Sequence, residues 1–203
     1  MAGRFLPLNL VLGLLLASLT ASAPLVLGES RLRRRDAGQS CSDASMNALP
    51  WTAQDFDFHS SVTFSTPAHQ IVGGWVSFSL RNPALPFAMS CFASSSQLQE
   101  FFYGDQWFSC SAPPDAATVS EAEFRFDRAT GRFDISQNWV CPDADPQSRI
   151  TFNASGTTTV PLDCATSRWQ NGNWSTGHVY STESVECGLL NVTIVPNDLE
   201  AWS

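Results

Sequence analysis

Three histidines, six cysteines and a scatter of carboxylates are the reactive groups of this 203-residue chain. His59, His69 and His178 stand far apart, with no His-x-x-x-His or paired Cys-x-x-Cys spacing, so a structural zinc site is not expected. Each reads as a surface or hairpin residue. No Gly-x-Ser-x-Gly elbow and no glycine-rich phosphate loop occurs. Lysine is absent, which removes Schiff-base chemistry. The carboxylates nearest one another in sequence, and so the candidate pairs for glycoside cleavage, are Glu121 with Glu123, Asp143 with Asp145, and Glu183 with Glu186. An acidic chain always offers such neighbours, and solubilising charge on edges and loops accounts for each pair.

The aromatic residues offer recognition in place of catalysis. Trp169 and Trp174 flank Asn171-Gly172, a type I′ turn signal, and are candidates to stack a sugar ring or a flat phenolic ligand. Phe101-Phe102-Tyr103, with Trp107-Phe108, forms a second aromatic group. Trp107 and Phe108 are assigned there to the core.

The N-terminus reads as an export device. Arg4, an apolar run from Leu6 to Leu19 and the small-x-small site Ala21-Ser22-Ala23 make a signal peptide over 1–23, cleaved after Ala23. The run is too short for a membrane span, which needs about 20 residues. Residues 24–35 end in Arg31-Leu32-Arg33-Arg34-Arg35, the pattern of a pro-segment cleaved after Arg35. Those 35 residues hold five of the eleven arginines and one of the nineteen acids, so the mature chain carries a net charge near −12. Such a surface repels phosphate backbones, which disfavours nucleic-acid binding. A mature chain that starts at Pro24 or near Asp36 also lacks the N-terminal histidine of a copper polysaccharide monooxygenase. Cys41, Cys91, Cys110, Cys141, Cys164 and Cys187 then read as disulfides of an oxidising compartment, with fifteen pairings open. Asn153-Ala-Ser, Asn173-Trp-Ser and Asn191-Val-Thr are glycosylation sequons, in keeping with a secreted, extracellular protein.

The elements that must position these groups are strands. Residues 36–54 are polar and without period, an N-terminal arm carrying Cys41. From Asp55 onward Phe56, Phe58, Val62 and Phe64 alternate with polar residues, and His59-Ser60-Ser61 is placed as a bulge. Val76 to Leu80 is a clean period-two strand. Phe124 and Phe126, then Phe133 and Ile135, make the best hairpin. Ile150 with Phe152, and Val192 with Ile194, point inward, which turns Asn153 and Asn191 to water. Ser94 to Gly104 is the one candidate for a helical turn. Many short strands punctuated by glycine and proline imply an all-β domain over 55–203.

The stretch Met89–Cys110 places Cys91 at a strand end, then Gln97-Leu98, then Asp105-x-Trp107-Phe108-Ser109-Cys110. A bridge across these two cysteines would contribute about 3 kcal/mol through chain entropy. Downstream come Phe124-Arg125-Phe126-Asp127-x-x-x-Gly131 and the late pair Cys164 and Cys187. In this order the motifs resemble the Alternaria major-allergen family of secreted fungal β-barrel proteins. The resemblance implies a single antiparallel β-barrel, or barrel-like sandwich, stapled by disulfides 91–110 and 164–187. It implies no enzyme and no cofactor, but an extracellular effector, elicitor or allergen that meets host extracellular proteins or small phenolic ligands. Cys41 matches by position a cysteine that links two subunits in the family, whereas Cys141 has no counterpart. Either Cys41 pairs with Cys141 within one chain, or it joins a disulfide-linked homodimer. A secreted carbohydrate-active protein, as a wall-binding module or a small glycoside hydrolase, is the alternative from another class.

Overall fold

The computed structural model describes residues 40–203 except 117, 146 and 147, with the backbone alone at 144, 145 and 148. The signal peptide, the pro-segment and the cleavage sites at Ala23 and Arg35 lie outside the described residues. The described elements belong to the unit from Ala37 to Ser203. They are α1 (Cys41–Met46), β1 (Trp51–Thr66), β2 (His69–Arg81), β3 (Ala88–Ser95), β4 (Phe108–Ser111) and β5 (Ser120–Phe126). They continue with β6 (Arg132–Asp145), β7 (Ser148–Thr159), β8 (Cys164–Gln170), β9 (Ser181–Cys187), β10 (Leu190–Ile194) and β11 (Pro196–Trp202). No helix among the described residues is long and apolar enough to cross a membrane.

All pairings between these strands are antiparallel, in the order β11-β7-β6-β5-β4-β3-β2-β1-β9-β8, with β10 also on β1. Among the described residues the hydrogen-bonded ladder does not close, so the all-β domain is a barrel-like sandwich. The gap is spanned by the chain itself: β10 lies on β1, and one residue later β11 lies on β7. Gly156 of β7 makes this crossing sterically feasible. A Cβ built on it would stand 2.7 Å from Ile194 Cγ2 and 3.0 Å from the Val195 carbonyl oxygen.

Period-two burial fills the interior with rings. Phe56, Phe58, Phe124, Phe126, Phe133 and Phe152 are fully buried, and Phe78 nearly so. Phe56 meets Phe78, Phe126 and Phe133 at centroid distances of 5.7, 5.4 and 5.3 Å. Each such side chain contributes about 1.5–3 kcal/mol by leaving water, and edge-to-face geometry adds about 0.5–1.5 kcal/mol per pair. Inside this apolar mass runs one satisfied polar line: Asn82 Nδ2 donates to Gln137 Oε1 at 3.0 Å, and Gln137 Nε2 donates to Ser120 Oγ at 3.0 Å.

The structure corrects two local expectations. The bulge lies at Asp55, whose φ is 52°, and register runs unbroken through His59-Ser60-Ser61. It switches the inward residues from Trp51 and Ala53 to Phe56 and Phe58, so β1 begins at Trp51 although its alternation is legible only from Asp55. The helix lies in the N-terminal arm, not in Ser94–Gly104, which forms β3's last residues and an irregular loop. Ser40 caps α1 by accepting from the Asp43 N–H at 3.1 Å. At six residues the helix is too short to stand alone. It is held by contacts from β6: the Cys41–Cys141 bridge, Trp139 Nε1 donating to Ser45 Oγ at 2.8 Å, and Ser42 donating to Asp143.

Candidate functional site

Residues 96–107 link β3 to β4. Phe101 and Phe102 are buried there, and Phe102 packs on Phe58, Phe108 and Phe126. Arg128 lies over the Phe58 ring at 5.1 Å and pairs with Glu100, pinning the loop. The hollow beside Phe101 and Phe102, and another beneath α1, hold about 10 Å³ each, room for at most a single water. Neither hollow has room for a ligand, and the larger grooves among the described residues lie on the outside of the sheet.

On the outer face of β1, β2, β3 and β9, register aligns Glu186, His59, Trp75 and Ser94 in one row. Asp57, Ser77 and Phe92 form the next. His59 is half-buried; its Nε2 lies 2.7 Å from the Asp57 carboxylate, and its ring tilts 31° over Trp75 at 5.7 Å. Trp75 is 38% exposed and Phe92 is 59% exposed, on a face that in a half-solvated sheet is ordinarily polar. With Nε2 held by the carboxylate, Nδ1 is the ring nitrogen left to hydrogen-bond a partner. The arrangement presents two flat rings, an imidazole and carboxylates to one partner. Sequence reasoning passed over this site because it read His59 as an isolated histidine. The available signal was Trp75, a large apolar residue at a polar position of the alternating β2.

The remaining sequence candidates lie elsewhere. Cys91 faces Cys110 across β3 and β4, and Cys164 faces Cys187 across β8 and β9; both pairs are bridged. Trp169 and Trp174 do not flank a two-residue turn. Gln170 pairs with Ser181, so the connection spans 171–180, and Gly172 has no positive φ. Trp169, 53% exposed, faces Thr182 on β9. Trp174 packs edge-on to Tyr180 and donates to the His178 carbonyl oxygen at 2.8 Å, which ties the loop to itself. Trp107 is not core either: it is exposed beneath the Arg125 guanidinium at 4.8 Å, whereas Phe108 packs on Phe102 and Phe124.

Among the carboxylates, Glu183 and Glu186 point to opposite faces of β9 and cannot act together. An Arg168 hydrogen bond holds Glu183 below the usual carboxylate range. Burial pushes the Asp143 carboxyl up, but hydrogen bonds from Ser42 and Ser40 outweigh it and leave it lowered. Glu121 and Glu123 share the outer face of β5 and line a groove of about 450 Å³. Next to it lies a group that pattern reading did not single out. Burial pushes the Asp134 carboxyl up, yet hydrogen bonds from Thr157, Arg125 and Arg132 together hold it below its ordinary value.

This disulfide-stapled β-sandwich, with the 91–110 bridge and the Phe124–Gly131 hairpin in its centre, matches the family model of Alternaria alternata allergen 1 over residues 53–187. The chain belongs to that family. The match spans β1 to the end of β9, and so includes the Trp75 face and two of the bridges. No curated protein and no solved structure matches the chain. Family membership and three disulfides mark an allergen-type protein of an extracellular, oxidising setting.

Proposed function

We propose that this member of the allergen family is a secreted, non-enzymatic effector or elicitor that docks on host extracellular proteins through the outer face around Trp75. One observation carries the reading: two exposed aromatic rings, Trp75 and Phe92, lie on the outer sheet face beside the Asp57–His59 pair. Exposed tryptophan and phenylalanine on a soluble sheet favour burial against a partner. The spread of the rings over two strands, Trp75 on β2 and Phe92 on β3, selects the partner. A small phenolic ligand gains most in a concave pocket that covers it, whereas a protein surface covers exposed rings on neighbouring strands together. Export follows from the signal peptide and basic processing site, with a mature chain beginning near Asp36.

Purified host defence proteins, assayed by surface plasmon resonance against wild type, Trp75→Ala and Phe92→Ala, test this. Each substitution should weaken binding at least tenfold without moving the melting temperature. Equal affinities in all three would remove the face from the interaction. Binding of a flavonoid-type phenol that quenches Trp75, with no host protein bound, would move the assignment to small ligands.

A further inference from the structure

Asn153 forms one wall of the 450 Å³ groove on the outer face of β4 to β7, with Ser109, Glu121, Glu123, Ser136 and Asn138 around it. Register places Asn153 between Asn138 on β6 and Glu200 on β11. Its Nδ2, the atom that takes an N-linked sugar, donates to Asn138 Oδ1 at 3.2 Å. The amide is thereby turned towards the groove and away from β11. The other two sequons are placed differently: Asn173 is exposed in the β8–β9 loop, and Asn191 on β10 accepts from the Asp55 N–H at 3.0 Å.

We infer that the groove seats the first N-acetylglucosamine residues of a glycan carried on Asn153. The transfer joins Nδ2 to the anomeric carbon of a lipid-pyrophosphate-linked oligosaccharide. The carbon–oxygen bond to the pyrophosphate breaks, the lipid pyrophosphate leaves, and the nitrogen gives up one proton. One hydrogen stays on Nδ2, so the bond to Asn138 and the direction it sets survive the modification. The groove's volume falls within the range of small-molecule sites. Its chemistry also fits: Glu121 and Glu123 accept from sugar hydroxyls and the acetamido N–H, and Ser109 and Ser136 both donate and accept. A second hollow of about 150 Å³ shares Glu121 and Asn138 and adds Val119, Val140 and Thr151. Val119, 66% exposed, offers an apolar surface to the acetyl methyl or a ring face. Because the glycan is tethered, its effective concentration at the groove is high and modest contacts suffice. The acidic groove is then filled by the protein's own sugar and is not open to a free ligand.

The inference rests on entry into the secretory pathway. The test is site-resolved mass spectrometry of protein secreted from a eukaryotic host, during digestion with a peptide N-glycosidase. In native protein, release at Asn153 should be at least tenfold slower than at Asn173, and the rates should converge after denaturation. Glu121→Gln with Glu123→Gln should bring native release at Asn153 up towards that at Asn173. Slow release that the double substitution leaves unchanged would assign the protection to the strand and overturn the seat. Equal native rates, or a bare Asn153 beside occupied Asn173 and Asn191, would overturn it too. Three bare sequons would overturn it together with the secretory reading.

Discussion

The ring of Phe101 occupies the place where a side chain on Gly74 would stand: a Cβ built on Gly74 lies 2.7 Å from Phe101 Cγ and 2.9 Å from Phe101 Cβ. Phe101 is itself in the left-handed region, with φ of 65°, and its carbonyl oxygen accepts from Ser95 Oγ. The seat of Phe101 and its loop thus depends on a strand residue without a side chain. Gly74→Ala should force the loop outward and destabilise the fold by about 1–3 kcal/mol. Gly73→Ala is the control, since nothing lies within 4 Å of its added methyl. Thermal unfolding should show Gly74→Ala melting several degrees lower and Gly73→Ala near wild type. Equal melting of the two would contradict the contact.

Cys41 and Cys141 join residues 100 positions apart, which makes their bridge the largest loop closure of the three. Replacing both by serine should cost about 2–5 kcal/mol and release α1 from β6. Trp139 emission should shift as its bond to Ser45 is lost. Intact wild-type protein should run as a monomer that gains six hydrogens on reduction. A species of twice the mass that halves on reduction would place Cys41 between subunits.

Asp134 is 5% exposed, with Thr157 Oγ1 at 2.6 Å and Arg125 Nε at 2.7 Å. Its folded pKa lies below the ordinary value of 3.8, so its contribution to stability is present above that value and lost as pH falls through the folded one. Asp134→Asn should therefore destabilise by about 1–3 kcal/mol at neutral pH. The gap to wild type should close as the pH of a urea titration is taken below 3.8. A gap that persists unchanged to pH 2 would assign the loss to packing instead of charge.

Trp169 and Trp174 should separate in their effects on stability. Trp169→Ala removes an exposed ring and should stay within about 0.5 kcal/mol of wild type. Trp174→Ala takes away the Tyr180 contact and the His178 hydrogen bond, and should loosen residues 171–180 by about 1 kcal/mol. Hydrogen exchange in that loop, compared across the two variants, distinguishes them.

Much of this protein is decided locally and is legible in the chain. The Phe124–Ile135 hairpin shows itself because side-chain period and turn lie within twelve residues. The ordered motifs from Cys91 to Cys187 carry the family, since loops and bridges keep their spacing along the chain. Other features exist only once distant segments meet. The bulge at Asp55 reverses the inward face of β1, so Trp51 and Ala53 fall out of phase with Phe56 and Phe58 and the strand's start is masked. Six residues of α1 carry no period of their own; they are helical because β6 supplies a sulfur, an indole N–H and the Asp143 carboxylate from a hundred residues away. The same holds at the surface. Trp75, His59 and Phe92 belong to three strands, and Asn153 and Glu121 to two, so only the pairing register brings each set together. Composition, alternation and motif order determined a disulfide-stapled β fold of the allergen family; tertiary pairing alone decided which side chains share a face, because register is a property of two strands and is written in neither.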